Sequence, residues 1–334
     1  MASRRVRMED LAEQCGVSVA TVSRVLSGKP GVRDDLRTAI RNTASAMGYA
    51  MSSSVAGQRA VLIASRDAMV DLARGQFTLH LIEGMRARAT VLGMELDIRT
   101  ATGPIDESFD AGDAAGFILL TPEGDAEIAA AAALDKPVVL VNADDPRMRL
   151  CSVSPCNRSA AAHATEYLIN LGHKRILFLS KPGRRTIERR QEGWFDRMRA
   201  EGLEVGPDLL VEVDDWLPDL AAKAIKERLA SGKRDFTAIL AAGDSLAFGA
   251  LIGLAEAGVD TPGEVSVMGF DGLPQCELQS PPLSAVEIPM QQIGALALDL
   301  LRDELSEFNF PPRRVELACR IVDRASVGPA SPLP

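Results

Sequence analysis

The chain is poor in the residues that usually advertise chemistry. Among its 334 residues are five cysteines and three histidines. Cys15, Cys151, Cys156, Cys276 and Cys319 are odd in number and contain no CxxC spacing. With His80, His163 and His173 scattered, they make neither a disulfide framework nor a metal site. Reduced thiols of this kind fit a cytoplasmic protein. No run of 18 apolar residues occurs, since even "LIGLAEAGV" is interrupted by charge, so no membrane span is expected. The opening "MASRRVRMEDLAEQ" is basic but has no apolar segment after it, and is not a secretory signal. Phosphate and hydrolase motifs are missing too. "RILFL" runs into "SKPGRR", with one glycine rather than GxGxxG, and there is no GxxxxGK[ST], GxSxG or HExxH. No nucleophile–base pair is recognisable, so neither an enzyme nor a cofactor is expected.

What is present is uneven. The length and 46% hydrophobic content suit two or three globular units. The net charge of −9, taken alone, argues against a nucleic-acid protein, but the average hides a split. Residues 1–59 carry nine Lys/Arg against five Asp/Glu, a net +4, while the rest carries 28 against 41, a net −13. A basic head on an acidic body suits a tethered DNA-binding module.

The head reads as three helices. Met8 to Cys15 buries Leu11 and Ala12, and Gly16 stops it. Ser18 caps a second helix over 19–26, with Val22 and Leu26 on its inner face. "SGKPG" ends that helix, and a third runs from Asp34 to Met47. Two short helices about a glycine turn, the second with a thin polar outer face, make a helix-turn-helix whose second helix fits a major groove. Ser18, Thr21 and Ser23 are short hydroxyls suited to phosphates, and Arg24 reaches a phosphate or a guanine edge.

After the polar linker "YAMSSSVAGQR" (49–59), apolar runs alternate with helical segments. The runs are 60–64, 94–98, 115–120, 137–141, 175–179, 236–241, 264–270 and 283–288. The helical segments are 77–92, 124–134, 158–171, 189–201, 219–231, 245–257 and 290–304. This is a doubly wound α/β body of parallel strands, in one large sheet or two smaller ones. Ligands in such folds sit beyond strand C-termini, which singles out Asp144, Asp244 and Asp271. Asp244, just before "SLAFGAL", also suits a helix N-cap. Trp216 and Phe77 offer an apolar face for a ring of a polar ligand.

"MEDLAEQCGVSVATVSRVLSGKPGV", "AMGY", "ATEYLINLGHKRILFL", "GDSLAFGAL" and "EVSVMGFDG" together resemble the LacI family of bacterial transcriptional regulators, over nearly the whole chain. The resemblance implies an all-α helix-turn-helix domain with a hinge (1–59) and a two-lobed, periplasmic-binding-protein-like body. One lobe would take 60–157 plus 286–318, the other 158–285 plus 319–328, leaving 329–334 as a disordered tail. It further implies a homodimer on double-stranded operator DNA, acting as a repressor and gated by a small-molecule effector such as a sugar. Val19 and Ala20 match the first positions of the family's recognition helix, and Thr21, Ser23 and Arg24 match the adjoining contacts. Arg190 matches a ligand-binding arginine, Asp271 the acid opposite it, Asp244 a contributing polar position and Asp144 a first-lobe position.

Two stretches depart from the family. Relatives follow the tyrosine after the third helix with Pro-Asn, then a hinge-helix arginine and a wedging leucine. Here Tyr49 is followed by Ala50, Met51 and Ser52, and the arginine and leucine positions hold Ala56 and Gln58. Met51 and Val55 are the available substitutes for a wedge, although their spacing does not favour that role. Cys156–Asn157 stands where relatives commonly have Asp–Asn. The rival expectation is a cytosolic sensor with weak or lost operator coupling.

Overall fold

The computed structural model describes residues 6–26, 31–47, 55–65, 72–101, 109, 112–122, 124–232, 234–306 and 310–333. Tyr49, Ala50, Met51 and Ser52, and with them most of the expected hinge, lie outside the described residues.

Helices α1 (Met8–Cys15), α2 (Val19–Leu26) and α3 (Asp34–Ala46) form the head. Gly16 takes φ 66°, the left-handed conformation that ends α1 and turns the chain into α2. Leu11, Val22, Val25, Leu26, Ile40 and Ala44 meet in one small core. That core is what holds the polar face of α2 outward.

The body holds two six-stranded sheets. The first uses β1 (Arg59–Ser65), β2 (Glu95–Ala101), β3 (Gly116–Leu120), β4 (Val138–Val141), β5 (Cys151–Pro155) and β11 (Arg314–Leu317). Its order is β11-β5-β4-β3-β1-β2, parallel throughout. The second uses β6 (Ile176–Ser180), β7 (Leu210–Glu212), β8 (Ala238–Ala241), β9 (Ser266–Asp271), β10 (Ser284–Glu287) and β12 (Arg320–Val322). Its order is β12-β10-β9-β8-β6-β7, with only β12 antiparallel. Alternation along a strand explains why both faces need cover. Val61 and Ile63 of β1 enter one core with Phe117 and Leu119, while Ala60, Leu62 and Ala64 enter the other. Seven helices supply the cover: α4 (Leu72–Leu92), α5 (Asp125–Ala132), α6 (Asn157–Asn170), α7 (Arg185–Ala200), α8 (Pro218–Ala230), α9 (Asp244–Glu256) and α10 (Met290–Ser306).

Helices pair through glycines that let backbones touch. A Cβ on Gly294 of α10 would sit 2.0 Å from the Leu81 carbonyl of α4, and one on Gly193 of α7 2.0 Å from that of Arg158 in α6. The chain passes between lobes three times: at Cys156, between β10 and α10, and between β11 and β12.

Some expectations need correction. β5, β7 and β11 are short strands outside the apolar runs, because their sequences are mixed: CSVSP, LVE and RVEL. β10 lies whole in the second sheet, so a lobe boundary at 286 would cut through it. The tail is tied down at Ala330 and Ser331, while Pro332 and Leu333 are exposed. The Ala330 amide donates to Leu171 O at 2.9 Å and the Ser331 hydroxyl to Glu264 O at 3.1 Å. Gly328, just before it, lies beside the buried His173, 3.0 Å from Nε2. Proline removes donors from this segment but not acceptors, and it satisfies groups that the second lobe would otherwise leave unpaired.

Candidate functional site

On the head, Ser18, Val19, Ala20, Ser23 and Arg24 are exposed, and Thr21 is half-buried. The Thr21 amide donates to Ser18 Oγ at 3.1 Å, and the two hydroxyls are 2.9 Å apart. Ser18 therefore caps α2, and Thr21 helps hold that cap. Val19, Ala20, Ser23 and Arg24 form the exposed side of a helix whose buried side is Val22, Val25 and Leu26, with Ser18 just before its start and Thr21 at the edge of the buried side.

Between the lobes is a cleft with about 620 Å³ of empty space, partly open to solvent. Phe77 and Thr78 of α4, Thr121 after β3 and Asn142 after β4 come from the first lobe. Arg184, Thr186, Ile187 and Arg190 at and within α7, Trp216, Ser245 of α9, Asp271 and Leu273 come from the second. Thr121, Asn142 and Asp271 have φ of 50°, 54° and 129°, and Met148 is the one other non-glycine residue at positive φ among the described residues. Backbone strain of this kind gathers at ligand sites.

Arg190 is 3% exposed. Its Nε donates to Asn157 Oδ1 at 2.8 Å, and its Nη1 donates to Ala242 O at 2.5 Å and, more weakly, to Asp271 Oδ1 at 3.4 Å. The guanidinium lies 3.8 Å from the centre of the Phe270 ring. Its Nη2 has no acceptor among the described residues. Burial lowers the Arg190 pKa against the pull of Asp271. Asp271 keeps 19% of its side chain open. Burial raises its carboxyl to about 7, outweighing the Arg190 charge, with Asp244 adding to the rise.

The cleft also holds unspent polar atoms. Asn142 Oδ1 and Trp216 Nε1 are buried without a hydrogen-bond partner among the described residues. Buried polar groups left unpaired cost free energy, so two orphans in one cleft point to a polar ligand that satisfies them. Thr78, Thr121, Thr186 and Ser245 add hydroxyls, and Phe77 and Trp216 add ring surface.

Of the six residues expected to hold effector, Phe77, Arg190, Trp216 and Asp271 line this cleft. Asp144 and Asp244 do not. Asp144 lines an adjoining recess and is 3% exposed. It binds Arg189 at 2.8 Å and Arg314 at 2.9 Å, with Arg185 at 3.7 Å. Burial would raise its pKa, but the bond from Arg189 and the three arginine charges bring it below the usual carboxylate value. Since Arg185 and Arg189 stand on α7 and Asp144 follows β4, this cluster joins one lobe to the other. Asp244 is fully buried behind the cleft floor. Its Oδ2 accepts from the Leu273 amide at 2.7 Å and the Cys276 thiol at 3.2 Å, and burial raises its carboxyl to about 6. Through these bonds it braces the loop after β9, while its Oδ1 is buried without a partner among the described residues.

Thr121 and Asn142 were missed although both directly follow a strand, where the fold concentrates ligands. Arg189, next to Arg190, was missed because its partner is 45 residues away in the other lobe.

Comparison with known proteins gives a consistent result. A profile described as "Bacterial regulatory proteins, lacI family" matches residues 7–52, and one described as "Periplasmic binding protein-like domain" matches residues 165–327. The regulator reg1 of Streptomyces lividans is 29% identical, over 92% of this chain and 95% of its own. The transcriptional regulator CelR–cellobiose complex superposes with a TM-score of 0.73 at 24% identity, covering 96% of this chain and all of that one. The lac repressor dimer bound to operator and an anti-inducer gives 0.72 at 20%, covering 97% and 100%. These two structures share the fold.

Proposed function

The chain belongs to the lacI family of bacterial regulatory proteins, and we propose that it is a cytoplasmic, homodimeric repressor that releases or holds operator DNA according to a small polyhydroxylated effector. The observation that carries the effector reading is the cleft: the Arg190 guanidinium, the Asp271 carboxylate and the Asn142 and Trp216 atoms that have no partner among the described residues converge beside aromatic surface. Hydroxyl-rich rings with one apolar face match that set, and the CelR structure was solved with cellobiose. The DNA reading rests on the exposed polar side of α2 in a basic head. Two-fold pairing would set two heads on half-sites one helical turn apart. We read the protein as a non-enzyme: the residues around the cleft bind and orient, and none is a nucleophile with a base beside it. No helix among the described residues is long and apolar enough to cross a membrane.

One observation favours weaker operator coupling as the second reading. Val55, one of the two substitutes for the wedging leucine, is 4% exposed and packed into the first lobe's core. Val55 is thereby committed to the body. A gel shift with DNA from upstream of the protein's own gene, at low and at physiological salt, tests the assignment. A discrete complex resistant to competitor DNA is expected. Binding that stays diffuse and vanishes with salt would favour the sensor reading.

A further inference from the structure

Cys156 and Cys319 occupy two of the three places where the chain passes between lobes. Cys156 joins β5 of the first lobe to α6 of the second, and Cys319 joins β11 to β12. The register of β5 and β11 pairs Pro155 with Leu317, which brings the following residues together. The Cys156 amide donates to Leu317 O at 2.9 Å, and the Cys319 sulfur lies 3.9 Å from that same oxygen. Cys156 and Cys319 thus meet at one carbonyl, Leu317 O, where two crossings run side by side. Both cysteines are partly exposed and reduced, and neither contributes to the effector cleft. Asn157, the next residue, receives the Arg190 bond, so the thiol pair adjoins the cleft floor.

We propose that Cys156 and Cys319 are a reversible dithiol–disulfide modification site that staples two of the three interlobe crossings and holds the lobes in one relative orientation. This goes beyond the sensing of a small effector, because it lets an oxidant act on the same lobe movement.

The two sulfurs have distinct parts. Hydrogen bonds from Cys319 bring the Cys156 thiol down to about 6 against the effect of burial, and it stands at the N-terminal end of the 14-residue α6. It is the attacking thiolate. The contrast within the chain is sharp: burial pushes Cys151 up to about 12 and raises Cys276 as well. The oxidant is a hydroperoxide. The Cys156 thiolate attacks one peroxide oxygen, the O–O bond breaks, and hydroxide leaves and takes up a proton. The resulting sulfenic acid is attacked by the Cys319 sulfur, an S–S bond forms, and the Cys319 proton leaves with the hydroxyl as water. Two thiols lose two electrons and two hydrogens, and one hydrogen peroxide becomes two waters. A dithiol reverses the step by exchange.

The test uses the full-length, fully reduced protein treated with hydrogen peroxide and mapped by mass spectrometry without reduction. The expected product is a peptide pair joining Cys156 to Cys319, lighter by two hydrogens and restored by dithiothreitol. Cys319→Ser should instead collect a dimedone-trappable sulfenic acid at Cys156, and Cys156→Ser should yield neither product. Hydrogen exchange should slow at the crossing residues of the oxidised wild type. Oxidation that reaches Cys15 before Cys156, or yields only intermolecular disulfides, overturns the proposal. The wild-type peptide map decides even if a serine variant fails to fold. It also decides independently of whether an operator or effector is ever found.

Discussion

The charge cluster at Asp144 makes a prediction about lobe movement. Asp144→Asn keeps the shape but removes the carboxylate that meets Arg189 at 2.8 Å and Arg185 at 3.7 Å across the lobes, and Arg314 at 2.9 Å within its own. The carboxylate side chain is 4% exposed, but Arg189 is 23% and Arg185 39% exposed, so solvent screens part of the attraction. Exposed pairs contribute about 0–1 kcal/mol, and breaking a buried one costs about 3–5, so a cluster between these limits is worth roughly 1–3 kcal/mol. Only the α7 arginines bear on closure. Their share, about 1–2 kcal/mol, shifts the closed-to-open ratio roughly 5–30-fold. A double-mutant cycle of Asp144→Asn with Arg189→Met, read by urea unfolding, should return a coupling of about 1–2 kcal/mol. Small-angle scattering should show a more open molecule for Asp144→Asn alone. A coupling within about 0.3 kcal/mol of zero, with unchanged scattering, would refute the latch. The pKa direction adds a sign. The Asp144 value is depressed in the fold, so its contribution is present above the ordinary carboxylate pKa and is lost as acid takes pH down through the lowered value.

Further outcomes are expected at four residues. Arg24→Ala should weaken operator binding in a gel shift and reduce its salt dependence, while leaving effector titrations unchanged. Arg190→Ala should lower effector affinity roughly 10–100-fold in calorimetry, the scale of a charge-assisted hydrogen bond of about 1.5–3 kcal/mol. It should also lower the melting temperature, because Asn157 Oδ1 and Ala242 O lose their donor. Asp271 is raised to about 7, so effector affinity should fall as pH drops below that value and the carboxylate takes up a proton; Asp271→Asn should flatten the profile. The same raised value means that the Asp271 contribution to folding is fully present below the ordinary carboxylate pKa and is lost as pH rises through about 7, which a pH series of thermal melts reads. Gly193→Ala should cost about 1–3 kcal/mol in urea unfolding, since its Cβ would meet the Arg158 carbonyl at 2.0 Å and backbone must move.

The fold was most legible where local pattern and burial agree. All eight apolar runs contain strands: most are buried parallel strands that need apolar side chains on both faces, with β3 and β4 the clearest cases, while β2 is a half-exposed edge strand. The three head helices were readable from caps and spacing, with α1 and α2 matching residue for residue. β5, β7 and β11 were not readable. Strands of three to five residues with alternating serine or charge carry no periodic signal, and their register is set by neighbours far along the chain. The tail was misread for a related reason. Pro and Gly predict a loose end locally, while Ala330 and Ser331 are tied by backbone groups at 171 and 264.

The three strand-end aspartates show why a site is harder to read than a sheet. All three stand at or just beyond the C-terminal ends of parallel strands, and topology alone gives them equal claims on the ligand. What separates them is the last few ångströms of environment. Asp271 faces an arginine that still has a donor to spare, and it keeps part of its surface open. Asp244 starts α9, faces inward, and spends an oxygen on the Leu273 amide. Asp144 is neutralised by arginines that sit 41, 45 and 170 residues further along the chain. A carboxylate already balanced by three cations gains little from a further neutral hydrogen-bond donor, so its free energy goes into joining the lobes. One that is half-satisfied and raised to about 7 still has hydrogen bonds to form, and on that ground we propose Asp271 as the acid that meets the effector.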